Sequence, residues 1–153
     1  MKILLIPFFL LFGDFAIGQV PPYEQIAFDY YRNVILDDDK PDKKFTLWTE
    51  LHRQFDIFHY PRCLDFKLTN VDSLNLNASG LTHLELKNDK RFKIKPTHKG
   101  AFPRVYSQLS YHTTNDQHIV AIIEIHKNQG IVYYIEMKNS GDVTNWCKGG
   151  WIE

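Results

Sequence analysis

The residues whose types suit catalysis lie in the stretch His-Ile-Val-Ala-Ile-Ile-Glu-Ile-His, where Glu124 and His126 stand two apart, and a second acid, Glu136, follows in the next apolar run. On a strand, a spacing of two puts both side chains on one face. A carboxyl group held among apolar neighbours has its proton affinity raised by desolvation, which is the state general acid–base catalysis requires. Lys127-Asn128-Gln129-Gly130 between the two runs reads as a type I turn with Gly130 in the left-handed bulge position. That register pairs Ile123 with Ile135 and Ile125 with Tyr133, and sets Glu124 and His126 opposite Tyr134 and Glu136. If the sheet curves, this face lines a cavity and the three residues are acid–base candidates for a small hydrolase or isomerase. The plainer alternative is a solvent-facing stripe of cross-strand pairs.

Histidine offers a second chemistry. The chain has seven, with spacings that match no compact zinc pattern. His112 and His118 flank a Thr-Thr-Asn-Asp turn and would approach across a hairpin, leaving Asp116 as the nearest third metal ligand; the alternative is a set of solvated loop histidines. No nucleophile elbow, P-loop or dinucleotide fingerprint is present, and no cofactor is expected. Asn77-Ala78-Ser79 is a glycosylation sequon.

The start of the chain speaks to location. Lys2, an apolar run from Ile3 to Phe12 and the small-x-small Ala16-Ile17-Gly18 form a signal peptide over residues 1–18, too short to span a bilayer. Residues 19–153 then make a single globular domain, secreted or periplasmic, with no membrane insertion after cleavage. In such a compartment Cys63 and Cys147 are expected to form a disulfide, worth roughly 4.5 kcal/mol in the chain-entropy picture. A reactive thiol at Cys63, beside His59 and Arg62, is the competing reading. Acidic and basic residues number 18 each, so no charge footprint for nucleic acid exists.

The positioning elements follow from periodicity. Tyr23, Ile26, Ala27, Tyr30, Tyr31 and Val34 form one helical stripe, with Pro21 and Pro22 at its entry and three aspartates opposing its end near Leu36. Asp-Asp-Asp-Lys-Pro-Asp-Lys-Lys reads as a solvated loop, without the alternation or glycine of a calcium loop. From Phe45 the period becomes two, repeated in Cys-Leu-Asp-Phe-Lys-Leu, Arg-Phe-Lys-Ile-Lys and Arg-Val-Tyr-Ser-Gln-Leu-Ser-Tyr. A final meander has strands near 118–126, 131–138 and 143–147, the first apolar on both faces and so central. Gly149 and Gly150 would turn the end sharply, folding Trp151 and Ile152 back as a plug.

The result is an α+β fold: an N-terminal amphipathic helix packed on a curved, mainly antiparallel sheet of about six strands. This element order is similar to the cystatin-like or NTF2-like rolls. Such rolls host several functions. The leading expectation is an exported non-catalytic binding or inhibitory module for an unknown protein or small-molecule ligand, monomeric or weakly dimeric. The alternatives are the small enzyme above and a structural or interaction protein of the cell envelope.

Overall fold

Pro22 precedes the first helical turn and accepts the Ile26 N–H, so its own missing donor costs nothing there. Helix α1 spans Tyr23–Tyr30, continues as a π-helical segment Tyr31–Ile35, and ends as α2, Leu36–Asp39. The computed structural model describes residues 20–40, 42–53, 75–76, 80–112 and 116–152. The wider π turn shifts the buried stripe. Ala27, Phe28 and Tyr31 are followed inward by Ile35 and Leu36, whereas Val34, expected to be buried, is 40% exposed. The helix also outruns its expected stop. Asp37 pairs with Arg91 and Asp39 with Lys148, which offsets the repulsion between these acids and the helix end.

Eight strands form one sheet, mainly antiparallel: β1 Phe45–Leu47, β2 Asn75–Leu76, β3 Phe92–Ile94, β4 Arg104–Ser107, β5 Tyr111–His112, β6 Gln117–Ile125, β7 Gln129–Lys138 and β8 Val143–Ile152. The count exceeds the expected about six in part because Arg104 to Tyr111 is broken into β4 and β5, and in part because Asn75–Leu76 adds the short β2. Strands β4 and β5 both pair with β6, but Ser107 faces Ile122 while Tyr111 faces Ile119, so one extra residue is accommodated between them. Strand β1 runs parallel to both β3 and β4; every other pairing is antiparallel.

Strand β6 is central, as its two apolar faces require. Val120 and Ile122 join Tyr133, Ile135 and Met137 under the helix. Ile119, Ala121 and Ile123 pack on the opposite face with Val132 and Tyr134. The register differs from the expected one. Ile123 faces Val132, not Ile135, and Ile125 faces Gly130, not Tyr133. The His126 N–H bonds the Gln129 carbonyl at 2.8 Å, so only Lys127 and Asn128 form the loop, and Gly130 stays in the strand. A shift of an odd number of residues exchanges the faces of β7.

The chain end also differs from the expected sharp turn. Strand β8 passes straight through the glycine pair, with Gly149 opposite Val132, Gly150 opposite Ile131 and Trp151 opposite Gly130. Glycine serves close approach here: a Cβ on Gly150 would lie 2.8 Å from the Gly130 carbonyl oxygen. The signal peptide, Cys63, the sequon at Asn77 and the strand expected at 63–68 lie outside the described residues.

Candidate functional site

Glu124 lies near the end of β6 on the helix-covered face, fully buried in the only direction an ionised group can tolerate, towards other polar groups. Its Oε1 accepts from Lys40 Nζ at 3.0 Å and Lys43 Nζ at 3.0 Å, and lies 2.6 Å from His126 Nε2. Its Oε2 accepts from the Tyr31 hydroxyl at 3.1 Å, the Tyr133 hydroxyl at 3.2 Å and again from Lys40 at 3.2 Å. An ionised carboxylate only accepts, so this pairing makes Nε2 the protonated nitrogen of His126.

Each partner arrives by a different route. Tyr31 opens the π-helical segment, Lys40 follows α2, and Lys43 lies in the loop before β1. His126 closes the hairpin, and Tyr133 comes from β7. The site therefore ties the end of the helix to the tip of the central hairpin. Burial pushes the Glu124 carboxyl upward, but the bonded ammonium groups of Lys40 and Lys43 outweigh it and hold the carboxyl below its ordinary value. Burial, reinforced by the Glu124 charge, drives both the Tyr31 and Tyr133 hydroxyls upward, so they remain donors.

The lowered value runs opposite to the raised proton affinity expected of Glu124, and the burial of the carboxylate departs from both arrangements considered for its face. The carboxylate is fully buried and faces no solvent. The tyrosine beside it is Tyr133, not Tyr134, because of the hairpin register. Glu136 shares the face of Tyr134, across the sheet from Glu124, so it does not join Glu124 and His126. A carboxylate has about four lone-pair positions, and five side chains already occupy them. The arrangement suits a polar lock between elements.

The histidine candidates do come together, though as stacked rings. His118 lies between Tyr23, with centroids 3.7 Å apart, and His112, at 4.7 Å. His118 Nε2 is 2.9 Å from Asn139 Oδ1, and His112 Nε2 is 3.4 Å from an Asp116 carboxylate oxygen. Stacked faces direct ring nitrogens outward in parallel, whereas metal ligands converge on a point. Among the described residues no group of three or more His, Cys, Asp or Glu side chains is placed to hold a metal ion. Cys147 stands in β8 opposite Tyr134, on the face away from the helix.

Lys40, Lys43 and Tyr31 were not recognised as site residues from the sequence. Their signal was Glu124 itself: an acid inside an apolar central strand must find a cation, and the charged loop after the covering helix is the nearest supply. No known protein family, no curated protein and no solved structure matches the chain.

Proposed function

We propose that this chain is an exported, non-catalytic binding module whose α+β frame is held closed by the Glu124 lock. One observation carries the non-catalytic part: the carboxylate best placed for acid–base work is saturated by Lys40, Lys43, His126, Tyr31 and Tyr133 and is held ionised. A group in that state has no free lone pair for a substrate proton and no proton to give near neutrality. The leader-like residues 1–18 support export. A Cys63–Cys147 disulfide would fit the same compartment. The helices of the described residues include none long and apolar enough to cross a membrane.

Native mass spectrometry of the protein exported under its own leader tests this reading. The expected species begins at Gln19 and is two hydrogens lighter than the dithiol. An uncleaved leader or two thiols contradicts export into an oxidising compartment. A hydrolysis or isomerisation activity lost in Glu124→Gln without any loss of stability contradicts the non-catalytic assignment.

A further inference from the structure

We propose that the cavity between residues 50–53 and residues 80–83 binds a small amphipathic anion, an apolar chain ending in one carboxylate. This rests on the binding-module reading and names its ligand class.

The cavity is built by backbone. Leu51 N–H bonds the Thr82 carbonyl at 3.0 Å, and Leu84 N–H bonds the Thr49 carbonyl at 2.7 Å. On the other flank, His52 N–H bonds Ser107 O at 3.0 Å and Leu109 N–H bonds His52 O at 2.9 Å. Three chain segments are thus held side by side around a partly open space of about 500 Å³. That lies within the usual range for small-molecule pockets, about 300–1,000 Å³.

The lining has two characters. Leu51 and Leu109 are buried and, with Leu81, give an apolar floor. Glu50, Arg53 and His83 are exposed at the mouth. Their states differ. Glu50 accepts the Thr97 hydroxyl at 2.8 Å, and His83 Nδ1 is 3.0 Å from the Thr82 hydroxyl. Arg53 has no ion pair or side-chain hydrogen bond among the described residues. The other described arginines are all engaged: Arg32 with Asp29, Arg91 with Asp89 and Arg104 with the Gly100 carbonyl. An unpartnered guanidinium fork beside a leucine floor complements a carboxylate joined to a hydrocarbon chain. The position of Glu50 disfavours a second negative group.

The test is a titration of the mature, oxidised protein with octanoate, followed by leucine methyl NMR. Octanol supplies the tail without the charge, and acetate the charge without the tail. Octanoate is expected to saturate, to move the Leu51, Leu81 and Leu109 methyls, and to bind at least about tenfold more tightly than either control. Arg53→Gln should weaken octanoate about tenfold and leave octanol unchanged, with the melting temperature preserved because Arg53 is exposed. Glu50→Gln should tighten octanoate by roughly twofold. Equal affinity for octanoate and octanol, shifts mapping elsewhere, or indifference to Arg53→Gln overturns the proposal. Those outcomes leave the binding-module reading standing; that reading falls separately if Glu124 titrates near neutrality.

Discussion

Replacing Glu124 by glutamine keeps the volume of the side chain and one carbonyl acceptor, so the Tyr31 and Tyr133 hydroxyls retain a partner. What is lost is the charge facing Lys40, Lys43 and His126. Breaking a fully buried ion pair from one side costs about 3–5 kcal/mol. The partners here are partly wet, with side-chain exposures of 23% for Lys40, 31% for Lys43 and 19% for His126, so they recover some hydration. The expected cost is therefore about 3 kcal/mol. For a domain of this size that corresponds to a fall in Tm of roughly 10 °C. Thermal unfolding followed by far-ultraviolet circular dichroism, with urea titrations to check two-state behaviour, measures it. Lys43→Met should cost less in the Glu124→Gln background than in wild type, because the charge it paired with is already gone. A melting temperature within about 2 °C of wild type, or above it, would refute the lock.

Three further outcomes follow. Glu24, fully buried in α1, accepts the Ser110 N–H at 2.8 Å where the register slips between β4 and β5; Glu24→Ala should cost about 2–3 kcal/mol in urea unfolding, and Glu24→Gln less than half of that. Acid should weaken the fold in two stages, read as Tm against pH. Burial lowers the His52 and His118 values, so the unfolded chain takes protons first and stability falls as pH drops below about 6.5. Glu124 is also depressed, so its contribution is present above about pH 4.5 and is lost as pH falls further, a stage that Glu124→Gln should flatten. Gly141 turns between β7 and β8 at φ +88°, and an added Cβ would lie 2.8 Å from Ile26 Cδ1; Gly141→Ala should lower stability by about 1–2 kcal/mol in the same assay.

Most of the frame was legible because its causes are local. The apolar stripe from Tyr23 to Tyr31 marked the helix, and apolar residues on both faces of Ile119 to Ile123 marked a central strand. The same double-sided burial is why the hairpin register was not legible. Where either face can be covered, alternation cannot say which residues of β7 meet which of β6, and a two-residue loop fits as well as a longer one. The candidate site inherited that error: Glu124 and His126 were found, but with Glu136 and Tyr134 in place of Tyr133. The two lysines were hidden for another reason. A run such as Asp-Asp-Asp-Lys-Pro-Asp-Lys-Lys has the composition of a solvated loop, and only the fold shows that Lys40 and Lys43 reach beneath it to a buried acid. The π turn at Tyr31–Ile35, which turns Ile35 and Leu36 inward, likewise depends on packing rather than on propensity.

The lock also bears on how the described parts cohere. Tyr31, Lys40 and Lys43 belong to the helix and its exit, whereas Glu124, His126 and Tyr133 belong to the hairpin. The Arg91 side chain makes a second tie, to Asp37, Asp89 and the Arg32 carbonyl. The helix end is thus fastened by polar contacts in addition to the buried Ile35 and Leu36, a construction that suits a rigid scaffold.

The state of one carboxyl group decides whether the helix end is locked to the hairpin. A carbon-13 NMR titration of the Glu124 side chain in the intact protein reads it without reference to any ligand. A lock held by two ammonium groups predicts a midpoint below about 4.5. A midpoint near neutrality would mean that burial had won, would restore Glu124 as an acid–base group, and would contradict the non-catalytic reading.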